Sequence, residues 1–375
     1  MTKVMTVVGT RPEIIKLSRV IALLKQHVEH VLVHTGQNYD YELNQIFFEQ
    51  LGMDKPDYYL DAAKGTAAET IGNIIGKIDA VLEKEKPDAL LVLGDTNSCM
   101  SVIAAKRRKI PIFHIEGGNR CFDQRVPEEI NRKIIDHLSD INLVYSDIAR
   151  EHLLREGIGS DRIIKTGSPM YEILHSNLKY INESNILDEL MLVQERYFVI
   201  SAHREENVDD DDNLRELAVT LDKIAWSYGL PVIVSTHPRT KKRLDEKGIK
   251  FNPLVRLIKP LGFFDYVHLQ MHARATLSDS GTITEESSIL SFPALNLRNT
   301  HERPEGMEEG SVIMTGLKAD RIFDGLAVLV TQPNKHQLLR VPADYNVTNF
   351  SDKVLRIILS YIDYVNFYTW HKRSS

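Results

Sequence analysis

Residues Val4–Leu24 read VMTVVGTRPEIIKLSRVIALL, and this stretch decides which kind of fold the chain can adopt. Its first five residues, Val4–Val8, form a short apolar run of the kind that predicts a buried strand. Gly9 then allows a tight turn, and Glu13–Leu24 has the spacing of a helix. Pro12 agrees with this prediction, because the first helical position needs no backbone N–H. A buried strand that leads directly into a helix is the repeating unit of a parallel α/β sheet.

The same alternation continues along almost the whole chain. Further predicted strands in the first half are His30–His34, Ala89–Leu93, Ile110–Ile115 and Ile141–Val144, and further predicted helices are Ala67–Leu82 and Glu128–Leu138. A polar stretch at Tyr180–Glu195 is predicted to be a linker. Beyond it the predicted strands are Tyr197–Ser201, Val232–Thr236, Val255–Ile258, Ala275–Ser278 and Ala294–Leu297, and the chain is predicted to end with an amphipathic helix at Ser351–Phe367.

The chain has 375 residues, more than one hydrophobic core usually organises. We therefore predict two Rossmann-like, doubly wound α/β domains that face a cleft, at residues 1–178 and 179–350. The final helix, residues 351–375, is predicted to pack back on the first domain. Ligands of such sheets bind beyond the carboxyl ends of the strands, so the functional residues are expected there.

Composition excludes several classes of function. The chain has 46 basic and 52 acidic residues, a net charge of -6, which argues against nucleic acid as a partner. Its two cysteines, Cys99 and Cys121, form no disulfide framework or zinc site by spacing, and they suit a reducing compartment. Because no apolar run approaches the roughly 18 residues of a membrane helix, we expect a cytoplasmic protein without membrane insertion. Neither a G-x-G-x-x-G motif nor a Walker loop occurs, so we expect no cofactor.

Charged residues follow the predicted strands of the first half. Arg11 and Lys16 lie near the start of the first helix, where a phosphate is favoured, although a plain strand–turn–helix with surface bases explains them equally well. Asp95 and Glu116 end successive parallel strands and can therefore converge. Glu128 or Glu129 can complete a carboxylate cluster suited to general acid and base chemistry. Helix capping is the alternative role, and we assign it to Glu129.

The second half places polar groups in the same way. His203 and His237 each follow a predicted strand beside an arginine, although a lone histidine is more often structural. Ser280 and Gly281 precede a helix whose backbone N–H groups can hold a diphosphate, and Glu286, one turn into that helix, can bind ribose hydroxyls. Arg303 lies in a polar loop after the last strand and can also bind phosphate.

Together these segments resemble the non-hydrolysing UDP-N-acetylglucosamine 2-epimerase family, whose fold is the two-domain glycosyltransferase-B type. The resemblance covers nearly the whole chain and includes EGGNRCFDQRVPEE at 116–129, SAHREEN at 201–207 and DSGT at 279–282. It implies a UDP-amino-sugar substrate and a homodimer. It also implies a set of roles by residue: Asp95, Glu116 and Glu128 as acid–base carboxylates, His203 near the diphosphate among the catalytic residues, and Arg11, Lys16, His237, Ser280, Gly281, Glu286 and Arg303 as substrate or UDP ligands.

The reaction that the resemblance implies is an elimination followed by a re-addition. A carboxylate removes the C2 proton of the acetamido sugar while UDP departs from C1, which leaves a 2-acetamidoglycal. Protonation of C2 on the opposite face and return of UDP then invert that carbon. Nothing in this route requires NAD.

The chain departs from the usual family pattern at several positions. Thr282 replaces a glycine, and Asn38 and Asp40 replace residues of the effector region, which argues against allosteric activation by UDP-N-acetylglucosamine. The motifs at 116–129 and 201–207 are most similar to the UDP-N-acetyl-L-fucosamine synthases of capsule and O-antigen pathways. These enzymes act on UDP-2-acetamido-2,6-dideoxy-L-talose. The alternatives are an epimerase that makes UDP-N-acetylmannosamine, a hydrolysing epimerase, a glycosyltransferase of the same fold and a non-catalytic sugar-nucleotide sensor.

Overall fold

The computed structural model describes residues 1–36, 44–332 and 339–372, apart from the side chains of Glu205, Glu206 and Arg239. Asn38 and Asp40, the predicted departures in the effector region, lie outside the described residues. The chain divides into two compact units, of which unit 1 comprises Met1–His175 with Ala343–Ser375 and unit 2 comprises Ser176–Pro342.

Thirteen strands occur in the described residues. They are β1 Lys3–Val8, β2 Glu29–His34, β3 Tyr58–Tyr59, β4 Ala89–Leu93, β5 Ile112–Gly117, β6 Ile141–Val144, β7 Ile163–Lys165, β8 Phe198–Ser201, β9 Val232–Ser235, β10 Val255–Ile258, β11 Ala275–Ser278, β12 Ala294–Asn296 and β13 Ile313–Met314.

The described helices alternate with these strands. They are α1 Arg11–His27, α2 Gln45–Gln50, α3 Ala67–Glu85, α4 Val102–Arg107, α5 Pro127–Leu138, α6 Asp147–Arg155, α7 Met170–Ser176, α8 Leu178–Asn182, α9 Ile186–Glu189, α10 Glu205–Val208, α11 Asp211–Tyr228, α12 Pro238–Glu246, α13 Phe263–Met271, α14 Ile283–Leu290, α15 Pro304–Glu308, α16 Ala319–Thr331 and α17 Phe350–Tyr368. Among them, none combines the length and the apolar character needed to cross a membrane.

Unit 1 is built on a seven-stranded parallel sheet in the order β3-β2-β1-β4-β5-β6-β7. Helices cover the sheet, so β1, β4 and β6 are almost wholly buried, which explains why the sequence shows them as continuous apolar runs. The strand order changes direction between β1 and β4, and ligands of doubly wound sheets bind at such a switch point. The loops after β1, β4 and β5 leave the sheet at this edge.

The last helix belongs to unit 1, where α17 packs against α1. The apolar face predicted for it is buried at Val354, Leu355, Ile358, Ile362 and Val365. Residues 343–349, predicted to close the second domain, are grouped with unit 1 as well. The N–H of Ser168 donates to the carbonyl of Asp344 at 2.8 Å, and Tyr345 is fully buried, which attaches this segment to the first sheet.

Unit 2 contains a six-stranded parallel sheet in the order β10-β9-β8-β11-β12-β13. The linker predicted at Tyr180–Glu195 is wrong in part, because this stretch includes α9 and most of α8. Ile181 and Ile186 are buried there, and the carbonyl of Ile181 is 2.8 Å from His268 Nδ1. These helices are too short for a periodic apolar pattern, so the polar residues between them dominated the prediction.

Two histidines on β2 make unit 1 sensitive to acid. Burial lowers the pKa of both His30 and His34 to about 4. The unfolded chain binds a proton at such an imidazole near pH 6.5, so it takes up protons that the folded chain does not. Stability is therefore fully present above about pH 6.5 and is lost as the pH falls towards 4. The contribution of the fully buried His34 is about 3 kcal/mol at most.

We therefore expect His34→Asn to flatten the pH dependence of stability. Asparagine can keep an acceptor close to His34 Nδ1, which receives the N–H of Gly36 at 2.9 Å. Urea unfolding at pH 7 and pH 5 measures the effect, with the exposed His175→Asn as the control. An equal loss of stability between the two pH values in wild type and His34→Asn would contradict the assignment.

Candidate active site

The side chain of Glu116 is aimed by an irregularity at the carboxyl end of β5. The register between β5 and β6 shifts between Ile115 and Gly117, and Glu116 takes a φ of 70°. A bulge re-aims the side chain it carries, and a left-handed backbone at a residue other than glycine costs about 1–3 kcal/mol. Such strain is often found at functional sites, so the backbone of Glu116 agrees with the functional role that its sequence motif predicts.

Three groups surround the carboxylate of Glu116. Lys16 Nζ, from α1, lies 2.6 Å from Oε2, and the hydroxyl of the buried Tyr145 donates to the same oxygen at 3.0 Å. Asn119 Nδ2 donates to Oε1 at 3.1 Å. The side chains of Lys16 and Glu116 are 5% and 9% exposed, so the ion pair is largely shielded from solvent. The structure thus places Lys16, predicted as a substrate ligand, directly against a predicted acid–base residue.

Asp95 follows β4 and is held by an arginine from α5. Arg132 Nε lies 2.7 Å from Asp95 Oδ2, and its Nη1 lies 2.8 Å from Glu129 Oε2. Asn131 Nδ2 also donates to the main-chain carbonyl of Asp95 at 2.8 Å. Arg132 therefore joins two carboxylates from different elements, a role that its spacing in the sequence did not reveal.

The prediction that Glu129 caps a helix is wrong for α5, the helix to which Glu129 belongs. Its carboxylate accepts the N–H groups of Cys121 and Phe122, which precede the N-cap residue of α5, Val126. Burial works against ionisation, but these N–H groups and Arg132 lower the pKa of Glu129. Glu129 thus fixes the loop that follows β5, while Glu128 lies half-buried beside it in the first turn of α5.

The N-terminus of α1 is occupied by a side chain of the protein itself. Glu13 Oε2 accepts the N–H groups of Gly9 and Thr10 at 2.9 and 2.7 Å, and Oε1 accepts the hydroxyl of Thr96 at 3.0 Å. Burial raises the pKa of Glu13, and these hydrogen bonds partly offset the effect. The capping box Thr10-x-x-Glu13 is the sequence signal for this arrangement. Arg11, half-buried, lies with its guanidinium carbon 5.8 Å from the ring centre of Phe47.

In unit 2 a buried aspartate organises the loop that carries His203. Asp279 Oδ2 accepts the N–H groups of His203 and Arg204, both at 2.9 Å, and Asn207 Nδ2 at 3.0 Å. His203 Nδ1 lies 3.2 Å from Oδ1. Burial opposes ionisation, yet the charge of His203 and these hydrogen bonds lower the pKa of Asp279 to about 2. The DSGT motif at 279–282 by itself gives no sign of this role of Asp279.

The predicted diphosphate site lies at the start of α14. Ser280 Oγ is 3.0 Å from Thr282 Oγ1, so Thr282 adds a hydroxyl beside Ser280. A Cβ on Gly281 would lie 3.3 Å from Glu302 Oε2, which leaves little room for a side chain there. Glu286 is buried and accepts Gln270 Nε2 at 3.2 Å.

Two other predicted ligands differ in their surroundings. Arg303 is buried, and its Nε lies 3.0 Å from Glu285 Oε2, so an internal carboxylate already compensates its charge. A phosphate role for Arg303 stays a prediction. His237 follows β9 and is half-buried, and its role also stays a prediction. Within the described residues, no group of three or more His, Cys, Asp or Glu side chains is arranged to hold a metal ion.

Known proteins resemble this chain over most of its length. The matching family model describes UDP-N-acetylglucosamine 2-epimerase and spans residues 22–359. The structure of UDP-N-acetylglucosamine 2-epimerase from Rickettsia bellii is 53% identical, with a TM-score of 0.92 and coverage of 99% of this chain and 100% of its own. The UDP-N-acetylglucosamine 2-epimerase of Methanocaldococcus jannaschii is 36% identical over 88% of this chain and 93% of its own.

A third relative acts on a different sugar. The UDP-2,3-diacetamido-2,3-dideoxy-D-glucuronate 2-epimerase of Pseudomonas aeruginosa is 33% identical over 86% of this chain and 90% of its own. Fold, site and relatives together define a sugar-nucleotide isomerase built from two Rossmann-like α/β domains. The chain belongs to the non-hydrolysing UDP-N-acetylglucosamine 2-epimerase family, and it is a UDP-sugar 2-epimerase. This identification replaces the glycosyltransferase, hydrolase and sensor alternatives.

Proposed function

We propose that this enzyme converts UDP-2-acetamido-2,6-dideoxy-β-L-talose to UDP-N-acetyl-β-L-fucosamine, for capsular polysaccharide or O-antigen biosynthesis. The observation that carries the chemistry is the carboxylate of Glu116, which lies 2.6 Å from Lys16 Nζ on a strained backbone. An ionised carboxylate in a largely desolvated position is able to accept a proton from carbon. The sugar assignment rests on the sequence motifs at 116–129 and 201–207.

The proposed reaction balances without a cofactor. A carboxylate takes the C2 proton, the C2–H electron pair forms the C1=C2 bond, and the C1–O bond breaks with its electrons leaving on UDP. A second acid then delivers a proton to the other face of C2, and a phosphate oxygen of UDP re-forms the bond to C1. Asp95, Glu116 and Glu128 are the acids that we propose for these two proton transfers.

Lys16 and Tyr145 tune the proposed base. While Glu116 is ionised, both donate to Oε2, and a proton taken up by the carboxylate weakens the attraction to Lys16. The ammonium group is then able to stabilise negative charge that develops on the substrate. Arg132 Nε lies 2.7 Å from Asp95 Oδ2, so the second of these carboxylates is also held by an ion pair.

Unit 2 supplies the groups that we propose for UDP. Asp279 Oδ1 lies 3.2 Å from His203 Nδ1, and we propose that this contact orients the imidazole and leaves Nε2 for the ligand. Ser280, Gly281 and the first N–H groups of α14 suit a diphosphate, as helix N-termini generally do. His237, Arg303 and Arg11 are proposed as further substrate contacts, and Glu286 as a ribose ligand. We also propose that the enzyme is a cytoplasmic homodimer.

A second substrate has specific support. The relatives from Rickettsia bellii and Methanocaldococcus jannaschii are UDP-N-acetylglucosamine 2-epimerases, so UDP-N-acetylglucosamine, with UDP-N-acetylmannosamine as product, is the alternative. The Pseudomonas aeruginosa relative acts on a diacetamido-glucuronate, so substrates within this family are not restricted to one sugar.

Proton NMR in D2O separates the two substrates. We expect deuterium to enter C2 of UDP-2-acetamido-2,6-dideoxy-L-talose with a new fuco-configured product, and UDP-N-acetylglucosamine to change at least about tenfold more slowly, a difference of about 1.4 kcal/mol in transition-state binding. Exchange only with UDP-N-acetylglucosamine would transfer the assignment to the alternative substrate and leave the mechanism intact. If deuterium enters C2 of neither sugar nucleotide, the proposed mechanism would be wrong for both sugars.

A further inference from the structure

A fully buried ion pair lies beneath the loops that carry Asp95 and Glu116. His114, on β5, and Asp136, on α5, are 1% and 0% exposed in their side chains, and His114 Nδ1 lies 3.0 Å from Asp136 Oδ1. Asn142, on β6, lies 3.2 Å from the same ring nitrogen and donates its amide to the carbonyl of Asp136 at 3.0 Å. The proposed chemistry uses none of these three side chains.

The pair reaches the loop of Asp95 through the histidine. His114 Nε2 lies 2.8 Å from the carbonyl oxygen of Gly94, the residue directly before Asp95. Gly94 has a φ of 77°, so the chain turns sharply at the point where it leaves β4. Because the carboxylate of Asp136 and the carbonyl of Gly94 are both acceptors, both ring nitrogens of His114 must donate. Burial opposes that protonation, but the hydrogen bond and charge of Asp136 raise the pKa of His114.

The same carboxylate reaches the loop of Glu116. The N–H of Gly118 lies 3.2 and 3.3 Å from the two oxygens of Asp136, and Arg120 Nη1 donates to Oδ2 at 2.7 Å. Gly118 has a φ of 79°, and a Cβ there would lie 2.4 Å from the carbonyl oxygen of Ala149. The backbone two residues after Glu116 is therefore confined between Asp136 and α6.

We propose that His114 and Asp136 act as positioning residues for C2 epimerisation, because their hydrogen bonds set the carbonyl of Gly94 and the N–H of Gly118. Through these two backbone groups one buried pair fixes the directions in which Asp95 and Glu116 leave neighbouring strands. This inference rests on the proposed acid–base roles of Asp95 and Glu116. A misplacement of about 1 Å at a reacting group can cost about 100-fold in rate, so a purely geometric role has a measurable effect.

The alternative is that the pair only stabilises unit 1, and the chain offers a matched control for it. Asp140 is also fully buried, and it accepts Lys106 Nζ at 2.6 Å and the N–H of Ile112 at 3.0 Å. It lies next to the amino ends of β5 and β6, at the opposite edge of the sheet from Glu116. Asp140→Asn therefore removes a fully buried charge, paired with the partly exposed Lys106, in the same unit without touching the loops of the site.

Two substitutions at His114 separate its two hydrogen bonds. Asparagine places its amide close to Nδ1 and keeps a donor for Asp136, whereas glutamine places its amide close to Nε2 and keeps a donor for Gly94. We expect His114→Asn to lower kcat about 100-fold, with KM and the Kd for UDP within about threefold of wild type. His114→Gln is expected to retain kcat within about tenfold, and Asp140→Asn to keep wild-type kcat at a lower Tm.

Steady-state kinetics per folded enzyme, with C2 deuterium exchange and Tm on the same full-length samples, test the inference. Equal kcat in His114→Asn and Asp140→Asn would overturn it. If His114→Asn does not fold, Asp136→Asn is measured in its place. We expect Asp136→Asn to lower kcat about 100-fold, and a wild-type kcat would contradict the inference. Asp95→Asn is measured in parallel: if it is inactive while His114→Asn has wild-type kcat, only the positioning role fails. If Asp95→Asn has wild-type turnover, the proposed function and the positioning role both fail.

Discussion

Glu116→Gln will lower the turnover of C2 deuterium exchange by about 1,000-fold or more, because general acid–base groups contribute about 100- to 10,000-fold. Glutamine has nearly the same shape and keeps an oxygen able to accept from Tyr145 or Asn119. It has no ionised oxygen for Lys16 and no capacity to take the C2 proton. We expect folding to survive, and UDP binding with it, since the groups proposed for UDP in unit 2 are unchanged.

Glu172→Gln is the matched control for this substitution. Glu172 is another partly buried glutamate of unit 1, paired with Arg19 at 3.7 Å and bound to the N–H of Ser351 at 2.9 Å. It should keep wild-type turnover. NMR of C2 exchange gives the rates, and calorimetric titration with UDP gives the affinity. Near-wild-type turnover in Glu116→Gln would remove Glu116 from the reaction, and a parallel loss of UDP affinity would point to misfolding.

Asp279→Asn will destabilise unit 2 and weaken UDP binding. The ionised carboxylate holds the N–H groups of His203 and Arg204, and its pKa of about 2 against 3.8 in the unfolded chain corresponds to about 2 kcal/mol. Without the charge, the hydrogen bonds that hold the loop of His203 weaken, and the imidazole is no longer oriented. We therefore expect UDP to bind about tenfold more weakly, which corresponds to about 1.4 kcal/mol. Urea unfolding and calorimetry measure the two effects.

The pH dependence gives this prediction a second test. Because the folded-state pKa of Asp279 is depressed, its contribution is fully present above about pH 4 and is lost as the pH falls towards 2. The difference in unfolding free energy between wild type and Asp279→Asn should therefore shrink over that interval. Asp222→Asn, which removes the charge of a half-buried acceptor of the Asn252 N–H, is the control and should leave UDP affinity unchanged. A constant difference down to pH 2 would refute the role assigned to Asp279.

Much of the fold was predictable because its central strands are buried on both faces. Runs such as Val4–Val8 and Ala89–Leu93 are apolar throughout, and both lie inside parallel sheets. The short strands β3, β7 and β13 escaped prediction. They have only two or three residues, and all three lie at sheet edges. So short a segment carries no measurable alternation, and its pairing depends on the neighbouring strand.

The candidate site was predictable in its components but not in its connections. Position at a strand end singled out Asp95, Glu116 and His203, because residues that follow parallel strands share one edge of a sheet. The sequence assigned Lys16 to a ligand, whereas the structure pairs it with Glu116, 100 residues away in the chain. No signal in the sequence singled out Arg132, which joins Asp95 to Glu129.

By itself, the sequence determined the α/β class, the strands of the core and the family, since these depend on local apolar patterns and on motifs of adjacent residues. Only the tertiary structure decided which charged residues form ion pairs. Ion pairs such as Lys16–Glu116 and His114–Asp136 join residues that lie far apart in the chain, and burial decides their ionisation. The strained backbone of Glu116 is likewise a tertiary property, because a bulge between β5 and β6 imposes it on a residue whose own preference is different.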